Sequence, residues 1–150
     1  MSITIYADGS SLGNPGPSGY GVVLRNEKTG VIAEYGRPIG AHKTNNQAEL
    51  SAAIAALTIC QRLGCTEPLI LIDSTYVEGV IKNHRTGVKF RRNRPNVDLR
   101  LRLLSLVDAV NPTVKWVRGH SGVRLNEQAD KIARFCARHQ TKYIPGTGQI

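Results

Sequence analysis

Four acidic side chains are the residues of this chain whose positions point most directly to chemistry. Asp8 and Asp73 follow apolar runs that predict strands, while Glu49 and Asp130 fall in the first turns of predicted helices. Carboxylates that converge repel one another unless a cation neutralises them, and hard oxygen ligands select Mg²⁺ or Mn²⁺. Two such ions can activate a water and stabilise the leaving oxygen in phosphodiester cleavage. The four positions are therefore compatible with the metal site of a nuclease.

Each of these acids also has an ordinary structural interpretation. Asp8 begins a Gly-rich turn, where Asp is common, and Glu49 and Asp130 would favour the positive ends of their helices. Spacing alone does not exclude these roles. The functional interpretation depends on whether the strands that end at Asp8 and Asp73 are parallel neighbours, because their carboxylates would then meet at one edge of the sheet.

The pattern of apolar residues predicts an α/β protein whose elements follow the order β-β-β-α-β-α-α-β-α, a mixed sheet with helices on its faces. Strands are expected at residues 2–7, 19–25, 31–38, 68–72 and 113–117, and helices at 47–60, 74–81, 97–107 and 126–138. Pro38 marks the third strand as an edge strand. The Gly- and Pro-rich tail from Tyr143 onward is expected to fray.

Length and composition favour one soluble domain with a polyanionic partner. The chain has 150 residues, which fits a single domain over 1–150, with its core at about 3–138 and a tail at about 143–150. Its formal charge of +9 favours binding to nucleic acid. No apolar stretch predicts a membrane span, so we expect no membrane partner and a cytoplasmic location. Three cysteines without a CxxC pair are expected to be reduced, with Cys60 and Cys136 in the core.

Five motifs, in order along the chain, resemble those of type 1 ribonuclease H. The match runs from about Ile3 to Arg138 and rests on Asp8-Gly9-Ser10, Gly13-Asn14-Pro15-Gly16-Pro17 with Gly19-Tyr20-Gly21, Thr44-Asn45-Asn46-Gln47-Ala48-Glu49-Leu50, Asp73-Ser74 with Tyr76-Val77, and Trp116-Val117-Arg118-Gly119-His120-Ser121-Gly122 followed by Asn126-Glu127-Gln128-Ala129-Asp130. The resemblance implies hydrolysis of the RNA strand of RNA–DNA hybrids, leaving 5′-phosphate and 3′-hydroxyl ends. It also implies the ribonuclease H fold, a five-stranded mixed sheet in the order 3-2-1-4-5.

The same resemblance assigns roles to the acids and to one histidine. Asp8, Glu49, Asp73 and Asp130 match the carboxylates that bind two Mg²⁺ ions, with Mn²⁺ as a substitute. His120 matches a loop histidine that moves a proton or helps the product leave, and an unperturbed pKa near 6.5 suits that work.

Small polar residues are the candidates for recognising the RNA strand through its 2′-hydroxyl groups. By resemblance, the residues that line the minor groove are Gly9, Ser11, Asn14, Asn45, Asn46 and Thr75. Thr44 and Asn96 would hold a phosphate of the DNA strand. Asn45 could equally cap the helix that follows it.

The clearest departure from the family pattern lies between Asp73 and Asn96. Familiar bacterial members carry a longer basic extension rich in Trp and Lys there, whereas the only Trp of this chain is Trp116. The segment 82–94 keeps its positive charge, and Arg91 and Arg92 are expected to contact phosphates.

Two other functions remain open from the sequence. One is a binding module for hybrids or double-stranded RNA without turnover, against which the complete set of acids argues. The other is a nuclease of the same superfold that acts on DNA, against which the motifs 13–16 and 44–46 argue. We expect a monomer.

Overall fold

One five-stranded mixed sheet and the helices on its two faces make up the part of the chain that the computed structural model describes, residues 2–118 and 123–145. The strands are β1 (Ile3–Ser11), β2 (Gly16–Asn26), β3 (Ile32–Lys43), β4 (Leu69–Ile72) and β5 (Thr113–Trp116), and the helices are α1 (Asn45–Arg62), α2 (Thr75–Arg85), α3 (Val97–Val110) and α4 (Arg124–His139). The strand order is β3-β2-β1-β4-β5. The predicted element order and sheet order are both confirmed.

The two faces of the sheet carry different helices. Helix α1 packs on β1 and β2, with α3 against it, while α4 packs across β1, β2 and β3. Because side chains alternate along a strand, Ile5 of β1 joins the core under α1 and its neighbour Tyr6 joins the core under α4. Leu57 of α1 and Ile132 of α4 are fully buried in these two cores. The first strand is therefore the centre of the packing on both sides.

Several elements extend beyond their predicted bounds, and the most consequential is β1. Asp8 was expected just after this strand, but it lies inside it and pairs with Gly21 of β2. Pairing continues to Ser11 opposite Ser18, because the Gly-rich partner strand follows β1 for its whole length. The third strand likewise continues past Pro38 to Lys43, since an edge strand does not need the proline N–H.

The helices are longer than predicted at their ends. Helix α2 reaches Arg85, so its last turn is basic and complements the negative end of the helix. Helix α3 ends at Val110 and α4 at His139, and each is followed by a residue in the left-handed conformation, Asn111 (φ 53°) and Gln140 (φ 47°). The predicted helices end where the apolar spacing ends, whereas the backbone hydrogen bonds continue each helix further.

The expectation that the tail frays from Tyr143 is wrong at that residue. Its N–H donates to the carbonyl oxygen of Gly36 at 3.1 Å, forming a bridge to the edge strand β3. Its hydroxyl donates to Glu34 Oε1 at 3.3 Å, and its ring meets the edge of Phe135. An edge strand leaves backbone groups unpaired, and the tail uses them. Residues 146–150 lie outside the described part of the chain.

The expectation about the cysteines agrees with the structure. Cys60 and Cys136 are buried thiols without a disulfide, as predicted, and burial raises the pKa of Cys60 to about 12. Within the described ranges, every helix is too short or too polar to cross a membrane.

Candidate active site

Three of the four predicted acids meet at one end of the sheet. Asp8, Glu49 and Asp73 each offer a carboxylate oxygen, and these oxygens lie within 4.8 Å of one another. Strands β1 and β4 pair in parallel, so the acid inside β1 and the acid that follows β4 emerge at the same edge. The interpretation of these acids as a metal site required β1 and β4 to be parallel neighbours, and they are.

Glu49 reaches this edge because α1 lies directly on the backbone of β1. A Cβ atom at Gly9 would collide with the backbone of Ala48 and Glu49, so only glycine permits this approach. The Gly9 N–H then donates a hydrogen bond to Glu49 Oε1. The dipeptide Asp8-Gly9 thus supplies one acid and positions a second.

The electrostatics of this cluster favour neutralisation by a cation or a proton. Asp8 is only 4% exposed, and burial followed by the charges of Glu49 and Asp73 raises its pKa to about 11. Burial and the charge of Asp73 raise the pKa of Glu49 to about 8. A bound cation would reverse both effects, because it stabilises the charged carboxylates.

Asp130 approaches the cluster from the other face of the sheet. It lies on α4 near enough to Asp8 to raise the pKa of that carboxyl group, but its oxygens are not among those within 4.8 Å. Arg134, one turn further along, holds Asp130 Oδ2 at 2.9 Å. Neither Glu49 nor Asp130 lies in the first turn of its helix, where the favourable effect of the helix N-terminus is concentrated. A favourable interaction with the helix N-terminus therefore does not account for these two acids.

Comparison with known proteins agrees with this geometry. A family model described as RNase H matches residues 1–138. The chain belongs to the ribonuclease H family. Among its relatives in this family, a ribonuclease H of Cyanothece sp. is 41% identical over 140 residues, covering 89% of this chain and 87% of the relative. A ribonuclease H of Lachnoclostridium phytofermentans is 40% identical over 154 residues, covering 91% and 92%.

Solved structures of ribonucleases H share the fold of this family member. RNase H1 of Halobacterium salinarum superposes with a TM-score of 0.73 at 32% identity, covering 93% of this chain and 98% of that one. LC11-RNase H1, solved in complex with an RNA/DNA hybrid, gives a TM-score of 0.73 at 26% identity, covering 92% and 98%. The resemblance to type 1 enzymes found in the sequence is confirmed.

Hydrogen bonds hold some of the residues predicted to line the minor groove in this ribonuclease H. Asn14 Oδ1 accepts the N–H of Asn45 at 2.9 Å, which joins the Gly-rich turn to the start of α1. Ser11 Oγ donates to the carbonyl oxygen of Lys43 at 2.9 Å. Thr44, not Asn45, caps α1, and it does so through a reciprocal pair of hydrogen bonds with Gln47. The side chain of Asn45 is thus not needed for capping.

Asp73 is followed by further site residues at the start of α2. Ser74 caps this helix by accepting the Val77 N–H at 3.1 Å, and Thr75 is its exposed first residue. Trp116 of β5, 41% exposed, donates its indole N–H to the Asp73 carbonyl oxygen at 3.1 Å. Sequence reasoning missed this contact, although Trp116 pairs with the last residue of β4 and a parallel-sheet prediction would have placed it next to Asp73.

An internal arginine organises the basic loop between α2 and α3. Arg91 and Arg92 are exposed there, while Arg100 of α3 is only 7% exposed. Its guanidinium donates to the carbonyl oxygens of Arg91 and Pro95, both at 2.9 Å, and lies over the Phe90 ring, 4.3 Å from the centroid. The loop thus has a fixed shape without the Trp-rich extension of familiar members.

Two predicted site residues remain to be placed. Asn96 precedes α3 in a left-handed conformation (φ 65°), is half-buried, and makes no side-chain capping hydrogen bond within the described chain. His120 lies in the stretch 119–122, outside the described residues. Sequence reasoning also missed Arg134, whose signal is its i+4 spacing from Asp130.

In the absence of metal, we expect the stability of this ribonuclease H to fall as pH rises. The raised pKa values of Asp8 and Glu49 mean that, above their ordinary values of 3.8 and 4.5, the folded state binds more protons than the unfolded state. The free energy of unfolding in EDTA should therefore decrease from about pH 4.5 through pH 8. Urea denaturation at a series of pH values would measure it.

The variant Asp8→Asn is the control for this pH dependence. It keeps the shape of the side chain but removes the buried acid, so its stability should fall less steeply over the same pH range. Saturating Mg²⁺ should flatten the pH dependence in the parent. Because a cation stabilises the charged carboxylates, its binding stabilises the folded state most at the higher pH values. If the free energy of unfolding in EDTA fell equally steeply with pH in parent and variant, the electrostatic description of the cluster would be contradicted.

Proposed function

We propose that this protein hydrolyses the RNA strand of RNA–DNA hybrids with two divalent cations, Mg²⁺ by preference and Mn²⁺ as a substitute, leaving 5′-phosphate and 3′-hydroxyl ends. The convergence of Asp8, Glu49 and Asp73 within 4.8 Å in a ribonuclease H family member is the observation that carries this proposal.

The donor set suits hard divalent cations. All three converging groups are carboxylates, the ligands that Mg²⁺ and Mn²⁺ prefer, and cysteine and histidine are absent from this described cluster. Asp8 and Glu49 are buried and repel each other's charge, so a cation would remove an unfavourable interaction that the fold itself builds. Asp130, held by Arg134, would complete the set from α4.

Each residue has a distinct part in the proposed reaction. When bound, the two cations would supply activation of the attacking water and stabilisation of the leaving oxygen. Asp8, which is close to the other three acids, would hold a cation with them. The Gly9 N–H fixes the orientation of Glu49, and the Trp116 indole fixes the backbone at Asp73. By resemblance, His120 would move a proton or help the product leave.

The surface beside the acids suits recognition of the RNA strand. Asn45 and Asn46 are exposed at the start of α1, one turn before Glu49, and Thr75 is exposed at the start of α2, two residues after Asp73. Their amide and hydroxyl groups can exchange hydrogen bonds with 2′-hydroxyls in a wide minor groove. LC11-RNase H1 binds an RNA/DNA hybrid, which supports the same substrate here.

The exposed arginines of the basic loop should contribute phosphate contacts. We expect the double variant Arg91→Gln with Arg92→Gln to bind hybrid more weakly and to reduce the slope of log K against log salt concentration by about 2, since each lost phosphate contact lowers it by about 1. Fluorescence anisotropy of a labelled hybrid in EDTA, at several salt concentrations, would measure the slope.

Lys28→Gln provides the matched control for the salt experiment. Lys28 is exposed in the turn after β2, at the opposite end of the sheet from the acids, because β2 runs antiparallel to β1. Its removal should leave the slope unchanged. A slope unaffected by loss of Arg91 and Arg92 would exclude phosphate contact by this loop.

The function itself is tested with a hybrid whose RNA and DNA strands carry different labels. We expect cleavage of the RNA strand only, dependent on Mg²⁺, with no cleavage of double-stranded DNA of the same sequence. Tight binding without cleavage would instead support a binding module, and cleavage of the DNA strand would support a DNA nuclease.

A further inference from the structure

A groove of about 620 Å³ is lined by α1 and by strands β2 and β3, and Asp8, Glu49 and Asp73 are not among its described lining residues. Its floor is formed by Tyr20 of β2 with Tyr35 and Arg37 of β3. One face of α1, from Ser51 to Arg62, forms a wall. A volume in this range accommodates a small ligand such as a nucleotide.

Positive charge surrounds the groove without matching negative charge. The cations on its lining are Arg37, Arg62, Arg102 and Lys142, and none of them forms an ion pair with any residue of 2–118 or 123–145. Glu34 is the one acid among the described residues of the lining, and its two oxygens already accept from Gln128 Nε2 at 2.7 Å and from the Tyr143 hydroxyl at 3.3 Å. All four cations are exposed and can pair with an anion that enters the groove.

Tyr20 lines the groove together with these cations, and Arg37 is its cross-strand partner in the sheet. Burial raises the pKa of Tyr20, while the charges of Arg37 and Arg62 act in the opposite direction. Hydroxyl and guanidinium groups together present mainly donors, and planar guanidinium groups match the oxygens of a phosphate. The tyrosine rings beside them offer apolar surface to an aromatic base.

The groove is separate from the candidate active site. Glu49 lies near the start of α1 and Arg62 is its last residue, so the two are about 20 Å apart along the helix. Across the sheet, Arg37 pairs with Tyr20, which pairs with Gly9, so Arg37 and Gly9 lie about 10 Å apart on strands separated by β2. A ligand could occupy this groove without contacting the acids.

We propose that this groove binds the phosphate of a nucleotide, with Arg37, Arg62 and the Tyr20 hydroxyl as its donors. The phosphate could belong to a free nucleotide or to the end of a nucleic acid strand, and both present the same oxygens to these groups. The site does not depend on the proposed hybrid cleavage, because it uses none of the residues assigned to that reaction.

The test is an NMR titration of the ¹⁵N-labelled full chain in EDTA, which excludes metal-dependent turnover. The probes are AMP and a short 5′-phosphorylated single-stranded DNA. We expect saturable shifts of the amides of Tyr20, Arg37 and Arg62, and about tenfold weaker binding in each of Arg37→Gln and Arg62→Gln. Tighter binding of AMP would identify a free nucleotide as the source, and tighter binding of the oligonucleotide would identify a strand end.

Arg138→Gln and Asp8→Asn are the controls. Arg138 is an exposed arginine of α4 outside the groove lining, and its loss should leave binding unchanged. Asp8→Asn should bind both probes as the parent does, so failure of the cleavage proposal would leave this result intact. Absence of saturable shifts in the groove, or equal binding by Arg37→Gln, Arg62→Gln and the parent when all remain folded, would overturn the proposal.

Discussion

Asp8→Asn should lose about 10³-fold or more in the rate of hybrid cleavage while still binding the hybrid. Asn keeps the shape of the side chain and its place in β1 but removes the charge that converges with Glu49 and Asp73. Loss of a single group that stabilises developing charge already costs about 10²–10³ in rate, and this substitution would weaken metal binding as well. Single-turnover cleavage with saturating enzyme and Mg²⁺ would measure the chemical step.

Asp108→Asn is the control for charge removal in general. Asp108 lies on α3, its side chain is 67% exposed, and it pairs with His84 rather than with the cluster. Its cleavage rate should stay within about twofold of the parent, since surface pairs contribute little. Cleavage by Asp8→Asn at the parent rate would reduce Asp8 to a structural residue of the strand and would contradict the proposed mechanism.

Gly9→Ala should damage both folding and cleavage. Its new Cβ would meet the backbone of Ala48 and Glu49, and backbone cannot move aside as a flexible side chain would. Overpacking of this kind costs about 1–3 kcal/mol in the free energy of unfolding. Because the Gly9 N–H also orients Glu49, a displacement of α1 by about 1 Å should lower the cleavage rate by about 10²-fold. Urea denaturation and single-turnover cleavage would measure the two effects.

Gly79→Ala tests whether these effects are specific to position 9. Gly79 lies inside α2, and a Cβ atom there would meet nothing within 4 Å. The substitution should stabilise the protein by about 0.5–1 kcal/mol, because Ala is the better helix residue. If Gly9→Ala behaved like Gly79→Ala, the close approach of α1 to β1 would not be what positions Glu49.

Much of the fold follows from local patterns. The uninterrupted apolar run before Asp73 predicted a buried strand, and the change to helical spacing after Thr44 predicted α1, whose first residue is Asn45. The convergence of Asp8 and Asp73 required only that their strands be parallel neighbours, which the β-α-β connection favours. The sheet order came from the family resemblance and not from these patterns.

Other features depend on contacts between distant parts of the chain, and local patterns did not predict them. Arg100 looks like an ordinary surface cation of an amphipathic helix until the preceding loop folds its carbonyl groups onto it. Tyr143 was expected to fray because its own neighbours are Gly and Pro, whereas its partner Gly36 lies more than a hundred positions away. Position 8 was assigned to a turn because its Gly-rich surroundings hide the continued pairing with β2.

The most direct test of the carboxylate cluster as a metal site for cleavage is sulfur substitution at the scissile phosphate of the RNA strand. Each non-bridging oxygen is replaced in turn, and the rate with Mg²⁺ is compared with the rate with the softer Mn²⁺. A cation held by Asp8, Glu49 and Asp73 that contacts this phosphate predicts, for one of the two substitutions, a large loss of rate with Mg²⁺ and its recovery with Mn²⁺. Equal rates with the two metals for both substitutions would contradict the claim that these three carboxylates hold a metal ion for cleavage.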